Sequence, residues 1–167
     1  SLFSETIGHP LDDRFNGNWC GGNGSMLAIG TDGVLYPCIR FAPYSLKPDV
    51  KPLELGNIYD GYTNLKSDIV CELCNITRRS QSTDECWDCP VASGCAWCTG
   101  YNYEQFGTPD KRATFICKMH KARVAANIYY WNKLYEKLEM SERVECWLEE
   151  EDINELDPTR CYVNCNK

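Results

Sequence analysis

The chain has 167 residues, 43% of them hydrophobic and 25% charged, with a formal net charge of −7. That length suffices for one domain, or one domain with an appendage, around a buried core. The acidity argues against a nucleic-acid surface, which needs clustered Lys and Arg, and no apolar run reaches the roughly 18 residues of a membrane helix. Neither nucleic acid nor membrane is an expected partner.

The chain opens "SLFSETIGHP", without a Met, a basic leader or an apolar export stretch. It reads as a piece cut from a longer chain, with its cysteines expected in the reducing cytoplasm. "GGNG" at 21–24 lacks the Lys-Ser/Thr and helix of a phosphate loop and reads as a turn beside Cys20. Residues 26–38, "MLAIGTDGVLYPC", predict a β-hairpin. Two apolar arms flank Asp32-Gly33, a pair that accepts the positive φ angles of a tight turn, and the second arm delivers Cys38. Pro43, Pro48 and Pro52 make 42–56 a loop, and a short helix is expected around 62–70.

Residues 71–117 combine almost no periodicity with many turn formers and seven of the twelve cysteines, so ligands or bridges are expected to hold this stretch. Residues 118–140 form the clearest predicted helix, with Val124, Ile128, Trp131, Tyr135 and Leu138 on one face that should pack on the cysteine-rich loops. A second helix is predicted from an N-cap at Ser141 through Val144, Trp147 and Leu148 into the acidic run 149–152, stopping before Pro158. The expected fold class is α+β. A small loop-rich domain over 1–140, with an N-terminal β-hairpin and a long C-terminal packing helix, precedes an acidic helical appendage over 141–167.

Spacing alone leaves three uses for the cysteines. Twelve is an even number, as a disulfide framework requires, but the two thiols of a C-x-x-C pair seldom bond each other outside redox sites. Cys71-x2-Cys74-x11-Cys86-x2-Cys89 offers two knuckles for a tetrahedral zinc site with Zn–S near ~2.3 Å. That site leaves Cys20, Cys38, Cys95, Cys98 and Cys117 unexplained. The run "CWDCPVASGCAWC", Cys86 to Cys98, with further thiols from distant segments, suits iron-sulfur ligation drawn from several loops.

The full pattern is Cys20-x12-Gly33-x4-Cys38, then Cys86-x2-Cys89-x5-Cys95-x2-Cys98, and after a further 18 residues Cys117. Over residues 20–117 it resembles the SPASM domain, the C-terminal extension of radical S-adenosylmethionine enzymes that mature peptides and proteins. The family's pattern is C-x(9-15)-G-x4-C, then C-x2-C-x5-C-x3-C, then C. The stretches "NWCGGNG", "GVLYPCIRF", "TRRSQSTDECWDCPVASGCAWC" and "RATFICKMHKAR" are similar to the subgroup acting on Cys-rich ribosomal peptides, the CXXX-repeat maturases associated with thioether cross-links.

The resemblance implies two [4Fe-4S] clusters, auxiliary I on Cys20, Cys38 and Cys98 and auxiliary II on Cys86, Cys89, Cys95 and Cys117. It implies two partners: a preceding barrel of the same enzyme, which binds S-adenosylmethionine and makes the radical, and a Cys-containing precursor peptide. The chain departs from the pattern at the x2 spacing before Cys98 and in having no cysteine before Cys20. Either auxiliary I keeps an iron for a substrate thiolate, or Cys71 or Cys74 closes its shell. The radical-generating C-x3-C-x2-C motif is absent, and Cys161-x3-Cys165 has no third partner, so the chain is not expected to be an enzyme on its own. It would serve electron transfer within a peptide-modifying oxidoreductase. The competing reading is a non-catalytic zinc module for a protein partner, and zinc is also expected to load cluster sites of an isolated domain prepared in air.

Other candidates each have two readings. His120 would either hydrogen-bond a cluster sulfur or pack, and Arg78 and Arg79 would either meet acidic groups of a peptide or be solvated. Trp19 and Trp97 would exclude water beside ligands or fill a core. Cys146, Cys161 and Cys165 fall outside the pattern and are assigned no ligand role. With only His9 and His120, no nucleophilic triad is legible.

Overall fold

The computed structural model describes residues 3–18 and 20–156. The chain is α+β, with a four-stranded antiparallel sheet and helices, and it divides into two compact units. No described helix is long and apolar enough to cross a membrane.

The unit of residues 14–83 and 97–113 holds the sheet. Strands β1 (Ala28–Ile29), β2 (Val34–Tyr36), β3 (Gly56–Asn57) and β4 (Gly61–Tyr62) pair in chain order, with Ala28 opposite Tyr36, Leu35 opposite Gly56 and Asn57 opposite Gly61. The predicted hairpin is present, but its turn is longer than the Asp-Gly pair. Gly33 alone of that pair has positive φ, at 83°, and its N–H donates to Gly30 O at 3.0 Å, a turn closed by a left-handed glycine. The helix expected at 62–70 is corrected. Asp60-Gly61 turns the chain into β4, helped by Tyr59 N donating to Asn57 Oδ1 at 3.0 Å. Helix α1 (Asp68–Asn75) begins only after Ser67, whose hydroxyl accepts from Val70 N.

Residues 71–117 contain more local order than their lack of periodicity predicts. Helix α2 (Arg78–Gln81) is held by a reciprocal Thr77–Ser80 capping box, α3 spans Asp84–Trp87, and α4 spans Thr99–Phe106. The core of the sheet-bearing unit gathers Leu35, Tyr36, Phe41, Leu55, Leu73 and Tyr103 with the buried Cys38. Its apolar members come from the hairpin, the proline-rich loop, α1 and α4.

The other unit takes in residues 84–96 and 114–156 with the N-terminal stretch before 14. It contains α3, α5 (Cys117–Lys137) and α6 (Glu150–Glu155), around Ile7, Val91, Val124, Ala125, Ile128 and Leu148. On α5, Val124, Ile128 and Tyr135 are buried as the periodicity predicts, whereas Leu138 is 57% exposed. Leu138 lies past the helix end. Met140 N donates to Tyr135 O and Glu139 N to Glu136 O, with Glu139 at φ 57°, a Schellman arrangement that stops the helix before residue 140.

The helix expected from Ser141 is also corrected. Residues 141–149 are not helical; Val144 and Cys146 are half-buried and Leu148 is buried, alternating with exposed neighbours, while Val144 N donates to Asn132 Oδ1 at 2.8 Å. A period of two along a neighbouring helix marks an extended segment. The helical part, α6, begins at Glu150, where three acidic residues favour the N-terminal dipole.

Candidate metal centre

Cys20, Cys38, Cys71, Cys74, Cys86, Cys89, Cys95, Cys98 and Cys117 are thiols rather than disulfides. Cys146 is disulfide-bonded. Trp19, Cys161 and Cys165 lie outside the described residues. The seven thiols of the spaced pattern divide between the units: Cys20, Cys38 and Cys98 belong to the sheet-bearing one, and Cys86, Cys89, Cys95 and Cys117 to the other.

Cys20, Cys38 and Cys98 share a local device. Each is the N-cap residue of a helical turn: Cys20 before the 3-10 turn Gly21–Asn23, Cys38 before the 3-10 turn Ile39–Phe41, and Cys98 before α4. Such turns leave their first N–H groups without intrahelical partners, and these point back toward the cap side chain. The Cys98 side chain, together with the N–H groups of Thr99 and Gly22, holds the Cys20 thiol well below its ordinary range against burial. Cys98 is correspondingly pushed up, first by the Cys20 side chain and then by burial. Cys38 is raised chiefly by burial, with the charge of Cys20 adding to it, while the N–H groups of Arg40 and Phe41 favour its thiolate.

Gly22 lines the space between these thiols. A Cβ there would lie 3.4 Å from Cys38 Sγ, 3.5 Å from Cys20 Sγ and 3.0 Å from Thr99 Oγ1. The cradle therefore accepts glycine and little more. Thr99 is fully buried, with its hydroxyl 3.7 Å from Cys20 Sγ. Soft sulfur donors, converging N–H groups and a glycine wall fit an anionic thiolate-bound group. Among the described residues, no three His, Cys, Asp or Glu side chains form a group that could hold a metal ion.

In the other unit, Cys86 lies within α3, Cys89 just beyond it, and Cys117 opens α5. Cys95 N donates to Ala92 O at 3.1 Å in the connecting loop. His120 is buried, and its Nε2 donates to Val91 O at 2.7 Å, tying the first turn of α5 to the loop between Cys89 and Cys95. That bond goes to a carbonyl. Cys89 is raised by burial, with Val91 N–H and the ammonium of Lys121 opposing and Cys86 and Asp152 adding to the rise. Lys121 is itself paired with Asp152 of α6.

Arg78 is corrected against both of its expected readings: it is 1% exposed, neither solvated nor available to a peptide. Its guanidinium lies 5.7 Å from the ring centre of Trp97, which also meets Arg112 at 4.9 Å and donates from Nε1 to Ser82 at 3.3 Å. Trp97, 3% exposed, is a buried core aromatic next to Cys98. Arg79 is exposed.

Sequence reasoning missed Thr99, Gly22, Lys121 and Asp152. The Gly-Gly step after Cys20 and the Thr after Cys98 were visible signals for the first two; Lys121 and Asp152 had none, since one lies on α5 and the other on α6. Compared with protein-family models, curated proteins and solved structures, the chain matches none.

Proposed function

We propose that this chain is an auxiliary iron-sulfur portion of a radical S-adenosylmethionine enzyme that modifies a ribosomally made peptide, with one [4Fe-4S] cluster in each unit. One observation carries the reading. In sequence the two ligand sets interleave, Cys98 falling between Cys95 and Cys117, yet Cys98 joins Cys20 and Cys38 in one unit while Cys95 and Cys117 stay in the other. Spacing alone had no reason to sort the thiols that way.

On this reading Cys20, Cys38 and Cys98 hold the first group, and Cys86, Cys89, Cys95 and Cys117 the second. When bound, such clusters take up and pass on single electrons. The protein's part is to stabilise negative charge on sulfur and keep water out. The N–H groups of Gly22, Thr99, Arg40 and Phe41 face the first set, and Val91 N–H and Lys121 face Cys89. Trp97 and Thr99, which flank Cys98 in sequence, are both buried, and the Thr99 hydroxyl lies beside the Cys20 sulfur.

Anaerobic reconstitution with iron and sulfide tests the reading: a brown protein whose visible absorption bleaches with dithionite is expected. Colourless protein carrying zinc in stoichiometric amount, with no acid-labile sulfide, would overturn it in favour of a zinc-bound interaction module.

A further inference from the structure

Two thiols of the sheet-bearing unit, Cys71 and Cys74, belong to no part of the spaced pattern, and both lie on α1. They face different surroundings. Cys71 Sγ lies 4.0 Å from the Leu65 carbonyl oxygen, on the side of the loop entering the helix. Cys74 Sγ lies 3.7 Å from the position a Cβ on Gly24 would occupy. Gly24 closes the same 3-10 turn, its N–H donating to Gly21 O, whose Gly22 borders the sulfurs of Cys20 and Cys38. The glycine turn therefore has two thiols against one of its glycines and a third against the other. Helix α1 is fixed in this place because Val70 and Leu73 are buried in the core that also contains Cys38 and Phe41.

We propose that Cys74 is the fourth protein thiolate of the Cys20, Cys38 and Cys98 site, and that Cys71 is not a ligand. The inference rests on the cluster reading above and deepens it: with four thiolates the site has no iron reserved for a substrate thiol, and its work is electron transfer. Ligation replaces the Cys74 S–H bond with a sulfur–iron bond, the proton passing to solvent, with no change of oxidation state. Gly24, at φ 116° where other residues are disfavoured, keeps the wall open beside the Cys74 sulfur.

The test uses the full chain reconstituted anaerobically, as wild type, Cys71→Ala, Cys74→Ala and Cys74→Ser, with iron and sulfide analysis and EPR, each with and without isotope-labelled cyanide as a probe for an open iron. In wild type and Cys71→Ala, cyanide should leave the spectra unchanged. Cys74→Ala should lose about one iron in four from that site, show a three-iron signal when oxidised, or bind cyanide at the freed iron. Cys74→Ser, which keeps an oxygen donor and disturbs folding least, should keep the iron with a shifted signal. Clusters that assemble normally in Cys74→Ala, with a wild type that already binds cyanide, would overturn the role of Cys74 alone. Wild type that assembles no cluster would overturn this inference together with the reading beneath it, and the iron analysis separates the two failures before any variant is compared.

Discussion

Cys20 and Cys98 interact side chain to side chain, and this interaction is the largest influence lowering the Cys20 thiol and raising that of Cys98. Thiolate is the reactive form, so in reduced, metal-free protein Cys20 should alkylate at lower pH than an ordinary thiol, ahead of Cys38, which burial raises. Replacing Cys98 by Ala removes the largest stabiliser of the thiolate. The Cys20 profile should then move to higher pH. Iodoacetamide labelling read by peptide mass spectrometry checks this; wild-type Cys20 that stays unreactive until pH 8 contradicts it.

Gly22→Ala adds one methyl group where Thr99 Oγ1 stands 3.0 Å away and two thiol sulfurs stand within 3.5 Å. Thr99 has no exposed surface into which to retreat. The expected cost is about 1–2 kcal/mol of stability by urea denaturation, the range of mild overpacking, together with reduced iron retention. Gly17→Ala, where a Cβ meets nothing within 4 Å, is the control.

Arg78→Ala should be among the more damaging single changes outside the thiols, about 2–4 kcal/mol, since it empties a buried volume against Trp97 and removes the donor to Phe15 O at 3.4 Å. Arg79→Ala, at an exposed neighbour, should stay within about 0.5 kcal/mol. Equal small effects would restore the reading of both arginines as surface groups.

Leu148→Ala should cost about 2–4 kcal/mol, because Leu148 is 5% exposed in the cluster with Val124 and Ile128, whereas Trp147→Ala should cost far less. A helix starting at Ser141 would have put Val144, Trp147 and Leu148 on one face. Trp147 as sensitive as Leu148 would speak for that helix.

The sequence was legible where short-range chemistry decides. Asp32-Gly33 announced the hairpin, and the four-and-three spacing on α5 announced its buried face as far as Tyr135. It was misleading where two periodicities share the same letters. Val144, Cys146 and Leu148 alternate, but Trp147 beside Leu148 and the acidic run behind them imitate a helical stripe. Ser67 and Thr77 are legible as N-caps, but the helices they open are only 8 and 4 residues long, too short for a periodicity to show. The sorting of Cys98 away from Cys95, the nearness of Gly22 to the Cys20 and Cys38 sulfurs, and that of Gly24 to Cys74, depend on how α1, α4 and a glycine turn come together, which spacing does not encode.

The most direct measurement is iron, acid-labile sulfide and zinc analysis with EPR on anaerobically reconstituted wild type, Cys20→Ala/Cys38→Ala and Cys86→Ala/Cys89→Ala. Two separate clusters predict about eight irons in wild type, with each double variant losing about half of them and a different one of two EPR signals. Colourless protein with stoichiometric zinc, or two double variants that abolish the same signal, would contradict one cluster in each unit.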